Sequence, residues 1–578
     1  MPALAQGAAT SSISASPLSC AELAGLTIPA SVIGGGDAAL ATNGGAIESV
    51  QLIPAGAPLL GALPAPLELC KVIGRIMPLD STAEPIRFQL NLPTAWNQKS
   101  MMYGGGSYNG VLANIPSGVN NLSVAGAEHP SPLARGYATY GSDSGHTAKP
   151  PYTFASRDGS FATNPEMLRN YAGDALKKTH DAAQYLIMQR YAQASQRMYF
   201  QGASNGGREA LIVAQRWPEV FEGIFVMAPA WNIVEMELKF GEISRALTKP
   251  GAYMSQEKLV LARDAGIKHC DGLDGVMDGL ISNVAACEAS FNPQTATVNG
   301  QPDGAPLRCP GGIDSGDNTC LSDANIAVLR TMSRPFNFHY TLANGGRHYP
   351  GLHVWGGDLG VGPAGSLSRV LGMNLQAPGM TQANADMPFY SVFYDQWMKF
   401  FVAQNPALIG ATVNPKHPGA YLPRISELSL LLNAKPDLRA FHARGGKMIL
   451  MHGLADTVVA ARGTSEYYKA VRKGLGPHAT RDTLVYWQVP GYGHTMGPAF
   501  NASMDALTML ENWVENGVRP ENQIIQDRMP ATAGRSRPLC EFPKWPQYQS
   551  GDVNLASSFV CVEAHEGRHH EHGHEYGH

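Results

Sequence analysis

The sequence predicts an α/β fold, a parallel sheet covered by helices and interrupted by one long insertion. Two observations carry this. Strand-like and helix-like segments alternate from about residue 85 to 230, and alternation resumes at 447, as in a parallel sheet with covering helices. Between them, over residues 231–440, the pattern dissolves into Gly/Pro turns, four cysteines and an aromatic run. A chain of 578 residues can hold one large domain carrying such an insertion. The expected organisation is an N-terminal wrap (1–80), a first α/β part (81–230), the insertion (231–440), and a second α/β part with a tail (441–578).

Residues 1–80 are rich in Ala, Gly and Pro and read as loop. The alternating stretch IRFQLNLP (86–93) predicts a strand. KSMMYGGGSYNG (99–110) predicts a strand running into Gly104, Gly105 and Gly106, and GYATYGSDSGH (136–146) a short strand ending in a polar loop. From Asn164 to about Tyr191, apolar positions recur at helical spacing, with Asn164-Pro165 as the start signal. RMYFQGASNGGREALIVAQRWP and EGIFVMAPAW then give strand, tight turn, helix and strand. After the insertion, KMILMHGLAD (447–456) and TLVYWQVPGYGH (483–494) predict strands flanking a helix around RGTSEYYKAV. The aromatic run MPFYSVFYDQWMKFF (387–401) reads first as core, with lining of an aromatic pocket as the alternative.

Composition excludes some partners. With 43 Lys+Arg, 47 Asp+Glu and a net charge of −4, and no basic block, nucleic acid and anionic membranes are not expected. No apolar run reaches the roughly 18 residues of a membrane span. The eight cysteines show no CxxC spacing, and in a secreted protein they read as disulfides. Ala3-Leu4-Ala5 before Gln6 looks like the small-residue end of a cleaved signal peptide. The chain is therefore expected to be secreted or periplasmic.

Gly202-Ala203-Ser204-Asn205-Gly206 matches G-x-S-x-G between a predicted strand and a predicted helix, the setting that lifts a serine hydroxyl above a sheet. The alternative is a tight turn with a solvent-facing Ser. A serine nucleophile needs a base and an orienting acid, supplied in an α/β-hydrolase in the order Ser, Asp, His. Asp456 follows one late strand and His494 the next. His452 competes for the base role, but its place near a strand end reads as packed. The oxyanion donors are expected from the backbone of Asn205 and of the glycine cluster, Gly105 and Gly106 foremost.

The segments GGGSYNG, SDSGH, GASNGGREAL, CDGLDGVMDGLI, HGLADTVVAARGTSEYY and PGYGH, in this order, resemble the tannase and feruloyl esterase family, which also contains mono(2-hydroxyethyl) terephthalate hydrolases. The resemblance implies an α/β-hydrolase fold with a large inserted lid, a Ser204–His494–Asp456 triad, and hydrolysis of esters of aromatic acids. The substrate is then a small aromatic ester; terephthalate or phthalate monoesters are the alternative. A rival of another class is a silent binding module on a hydrolase fold, which the intact triad order argues against. Family members typically carry a bridging Cys pair beside the nucleophile and the histidine; here those positions are Ala203 and Thr495. The remaining cysteines then pair as Cys20–Cys70, Cys270–Cys287, Cys309–Cys320 and Cys540–Cys561.

CDGLDGVMDGLI (270–281) sets Asp271, Asp274 and Asp278 among glycines that allow tight coiling, and hard carboxylates suit Ca²⁺. It is not an EF-hand; an Asp-Gly turn cluster is the plain alternative. The resemblance implies a structural calcium held here, with the carbonyls of Val276 and Leu280. The tail HEGRHHEHGHEYGH reads as an exposed tail, with metal binding as the alternative.

Overall fold

The computed structural model describes residues 16–60, 63–113, 129–300, 304–494, 496–497 and 499–563. It divides into two compact units. The first runs to Trp231 and adds Gln396–Leu408 and Pro423–Lys447; the second comprises Asn232–Asp395, Ile409–Leu422 and the chain from Met448.

In the first unit, eight strands form a mixed sheet: β1 (Thr27–Ile28), β2 (Gly45–Ile53), β3 (Leu69–Ile76), β4 (Ile86–Pro93), β5 (Lys99–Tyr103), β6 (Ala138–Ser142), β7 (Arg197–Ala203) and β8 (Gly223–Met227). Their spatial order is β1-β2-β3-β4-β6-β5-β7-β8. Pairing is antiparallel up to β4–β6 and parallel from β6 to β8. The parallel half is buried on both faces, as its apolar strands require; every residue of β6 and β8 is buried. The N-terminal wrap is thus less loop-like than its composition suggests, because β2 and β3 extend the sheet with a half-exposed antiparallel edge.

Helices α1 (Ala175–Tyr191) and α2 (Asn205–Arg216) follow β6 and β7. The single helix expected from Asn164 is interrupted. Asn164 caps the start as predicted, accepting from the amides of Glu166 and Met167. Gly173, at φ 140°, then breaks the ladder in a π-type turn, a conformation open to glycine alone. A Cβ there would also press on Arg216 and Ile212.

The second unit contains α3 (Ile233–Leu247), α4 (Gln256–Cys270), β9 (Lys447–Gly453, in this unit from Met448), α5 (Ala461–Leu475) and β10 (Leu484–Val489). β9 and β10 pair in parallel, Met448 opposite Leu484. A small antiparallel sheet joins β11 (Ala502–Ser503), β12 (Ile524–Asp527) and β13 (Ser536–Pro538). The aromatic run 387–401 is core. Phe389, Tyr390 and Phe393 surround Phe240 in the second unit. In the first, Phe401 packs on Tyr108, Phe161 and Tyr171. The four disulfides pair as Cys20–Cys70, Cys270–Cys287, Cys309–Cys320 and Cys540–Cys561. No helix among the described residues is long and apolar enough to cross a membrane. Thr495 and the His-rich tail lie outside the described residues.

Candidate active site

In the first unit, β7 ends at Ala203 and α2 begins at Asn205, leaving Ser204 at the turn with φ 59° and ψ −121°. A non-glycine residue held there is strained, and such strain marks functional turns. Backbone bonds hold it in place. The Ser204 amide donates to Met227 O at 3.0 Å, and its carbonyl accepts from Arg208 and Ala230, both at 3.1 Å. The flanking glycines are sterically required: a Cβ on Gly202 would overlap the Gly206 carbonyl, and one on Gly206 would lie 2.5 Å from the Gly105 carbonyl oxygen. Ser204 is partly exposed within a buried stretch, and the first amides of α2, Asn205 included, have no partner within the helix.

The glycine cluster is not uniform. The Gly104 amide donates to Gln201 O at 2.9 Å. Gly105, expected as an oxyanion donor, instead donates its N–H to Glu209 Oε2 at 2.8 Å; that amide is committed to the fold. Gly106 differs, because the space beside its Cα is open. Glu209, which sequence reasoning missed, is 1% exposed. It also accepts from the side-chain amides of Asn109 at 2.6 Å and Asn205 at 3.2 Å. Burial pushes its carboxyl up, against the pull of Arg208. The available signal was helical spacing, since Asn205 and Glu209 share one face of α2.

In the second unit, Asp456 and His494 come together. His494 Nδ1 lies 2.6 Å from Asp456 Oδ2, while Asp456 Oδ1 accepts from the amides of Val458 and Val459 at 2.7 and 3.0 Å. Burial alone would raise the Asp456 carboxyl. The His494 charge and the bonds from both imidazoles override this and hold it far below the usual carboxylate range. His452 also touches Asp456, its Nε2 3.1 Å from Oδ2. Its Nε2 faces a second acceptor, Val459 O at 3.1 Å, and its Nδ1 faces Thr464 Oγ1 at 2.8 Å. With both ring nitrogens engaged and no exposure, His452 holds the Asp456 carboxylate in place and has no free ring nitrogen for proton transfer. His494 places its Nδ1–H on the carboxylate, which leaves Nε2 as the acceptor. The turn that brings it there needs glycine: Gly491 adopts φ 69° against Leu280, and a Cβ on Gly493 would lie 2.7 Å from Asp358 Oδ2.

Asp358 had no sequence signal. With His494, Ser368, Thr457 and Met496 it lines a small cavity, and its amide donates to Ala455 O at 2.8 Å. Burial, with repulsion from Asp456, pushes its carboxyl up to about 7.

The aspartate segment coils as its glycines permit, with Gly275 and Gly279 at φ 101° and 81°. Asp271 accepts from the amides of Asp278 and Gly279, both at 2.9 Å. Asp278 accepts from Leu280 N at 2.9 Å and is ion-paired to the buried Arg537. Asp274 accepts from Val276 N at 3.3 Å. Its Oδ2 and the Ser282 hydroxyl are buried without a well-formed hydrogen bond. Burial pushes the Asp274 carboxyl up to about 6 and raises that of Asp271. Among the described residues no three acidic, His or Cys side chains converge as a metal cage. A buried carboxylate oxygen beside a hydroxyl is a pair of hard donors that fits a hard cation, with Arg537 competing for Asp278.

Residues 70–562 match the model of the family described as tannase and feruloyl esterase. An uncharacterized esterase of Agrobacterium fabrum is 36% identical over 94% of this chain and 93% of its own. The mono(2-hydroxyethyl) terephthalate hydrolase of Piscinibacter sakaiensis is 29% identical, over 87% of this chain and 85% of its own. Among solved structures, feruloyl esterase B from Aspergillus oryzae superposes with a TM-score of 0.70 at 21% identity, covering 90% of this chain and 97% of that one. That likeness shows the α/β-hydrolase fold.

Proposed function

The chain belongs to the tannase and feruloyl esterase family and is a carboxylic ester hydrolase, and we propose that it cleaves esters of aromatic acids through a Ser204–His494–Asp456 triad. The observation that carries this is the Ser204 turn, a strained non-glycine residue between β7 and α2. In this reading His494 Nε2 takes the Ser204 proton as Oγ attacks the ester carbonyl carbon. The tetrahedral oxyanion is met by the amides of Asn205 and Gly106, Gly105 being committed to Glu209. His494 then protonates the departing alcohol, and an acyl-enzyme forms. Water, deprotonated by the same imidazole, releases the acid.

Ferulate and terephthalate, the acids in the relatives' names, are both aromatic, which supports the acyl class. Likeness to the terephthalate monoester hydrolase favours such monoesters as the second reading. Residues 231–440 are read as the lid that selects the acyl group. Four disulfides support a secreted or periplasmic enzyme. A structural Ca²⁺ is proposed in the aspartate segment, on Asp271, Asp274 and Asp278 with the carbonyls of Val276 and Leu280. There it would neutralise crowded carboxylates.

The test is a product-resolved screen of methyl ferulate, methyl gallate, a terephthalate monoester and aliphatic acyl esters, with Ser204→Ala as control. Ser204→Ala should lose activity by about a thousandfold or more. A variant keeping over roughly a tenth of the turnover would remove Ser204 from the mechanism. Aliphatic esters turned over faster than all three aromatic ones would contradict the acyl class.

A further inference from the structure

We infer that Arg535 is a positioning residue for the proposed base His494, tying the loop that carries it to the aspartate segment. The inference rests on the reading of His494 given above. Arg535 is 5% exposed and sits just before β13, far from His494 in sequence. Its guanidinium makes three kinds of contact, and two reach the histidine loop. Nη2 donates to the carbonyl of Ala499, and the guanidinium plane lies over the ring of Phe500, 5.4 Å from its centroid. Nη1 donates to the carbonyl of Asp278 at 2.9 Å. Nε and Nη2 donate to Asp527 Oδ2 at 3.1 and 2.7 Å.

The partner acid reinforces the same anchor. Asp527 Oδ1 accepts from the amide of Asn501 at 2.9 Å, directly after Phe500. Arg528 N donates to Asn501 O at 2.9 Å. The base of the loop is closed where Phe500 N donates to Gly491 O at 3.2 Å, three residues before His494. On the other side of that closure, the Leu280 side chain packs on Gly491. The far end of the histidine loop is thus held by the buried Arg535–Asp527 ion pair beside the Arg528–Asn501 backbone bond, and Leu280 of the aspartate segment packs against its near end.

A guanidinium is the group this arrangement needs. A planar fork can serve two carbonyls and a carboxylate at fixed angles; an ammonium carries the charge without the fork. A base displaced by under an ångström loses rate in the chemical step without losing substrate affinity.

The experiment compares wild type, Arg535→Lys, Arg535→Gln and Ser204→Ala on p-nitrophenyl acetate, with thermal midpoints and the rate of labelling by a fluorophosphonate. Arg535→Lys keeps the charge opposite buried Asp527 and so keeps the fold; it decides the matter if Arg535→Gln does not fold. The expected result for Arg535→Lys is a kcat about tenfold lower or more, with KM within about twofold and labelling slowed in parallel. A kcat within about twofold of wild type, whatever the midpoint does, would overturn the inference while leaving the Ser204 reading intact. An active Ser204→Ala would overturn both.

Discussion

Two carboxyls stand beside His494, and their environments push them in opposite directions. Asp456 is buried but bonded by two imidazoles and two amides, so it stays ionised and its stabilising contribution is lost only in strong acid. Asp358 has weaker compensation and is pushed up to about 7. For Asp358 the native chain keeps a proton that the unfolded chain has released between about pH 4 and 7, so stability falls as pH rises through that window. Asp358→Asn, which imitates the protonated acid, should flatten this fall. At pH 8 the variant should gain stability on the order of a few kcal/mol over wild type. Thermal midpoints of both proteins from pH 4 to 8 provide the check; parallel curves would show that Asp358 is ionised in the native state. Nothing at Asp358 was legible in the sequence, because an aspartate preceded by two glycines looks like any turn. The Ser204 turn and the Asp456–His494 contact were legible because each residue follows a recognisable strand with a glycine close before it.

At the scale of elements, the glycine cluster and the aspartate segment show why spacing alone misassigns groups. Three consecutive glycines look equivalent in sequence, yet a partner 104 residues away takes one amide. Likewise β2 and β3 were hidden by Ala, Gly and Pro nearby, and the helix from Asn164 concealed a break at Gly173. The strands β4 to β10 were readable because burial on one or both faces imposes a clear pattern. In the aspartate segment, one substitution gives opposite signs for two states. If Ca²⁺ occupies the segment, Asp274→Asn should lower the thermal midpoint in calcium buffer, and chelation should lower wild type but barely move the variant. Without the ion, Asp274 is a buried carboxyl pushed up to about 6; removing its charge would then raise the midpoint at neutral pH. A raised midpoint in calcium buffer would return the segment to a plain Asp-Gly turn.

At the scale of the whole molecule, Ser204 belongs to the first compact unit, Asp456 and His494 to the second. The sequence shows this division only as chain order, Ser before Asp before His across the 231–440 insertion. The central claim is that Ser204 is a nucleophile activated by His494. It is tested most directly by fluorophosphonate labelling followed by mass spectrometry of the digested protein, on wild type, Ser204→Ala and His494→Ala. A Ser204 nucleophile activated by His494 gives one adduct, on the peptide containing Ser204, absent in Ser204→Ala and formed at least about a hundredfold more slowly in His494→Ala. An adduct on another residue, or labelling of His494→Ala at the wild-type rate, would contradict it.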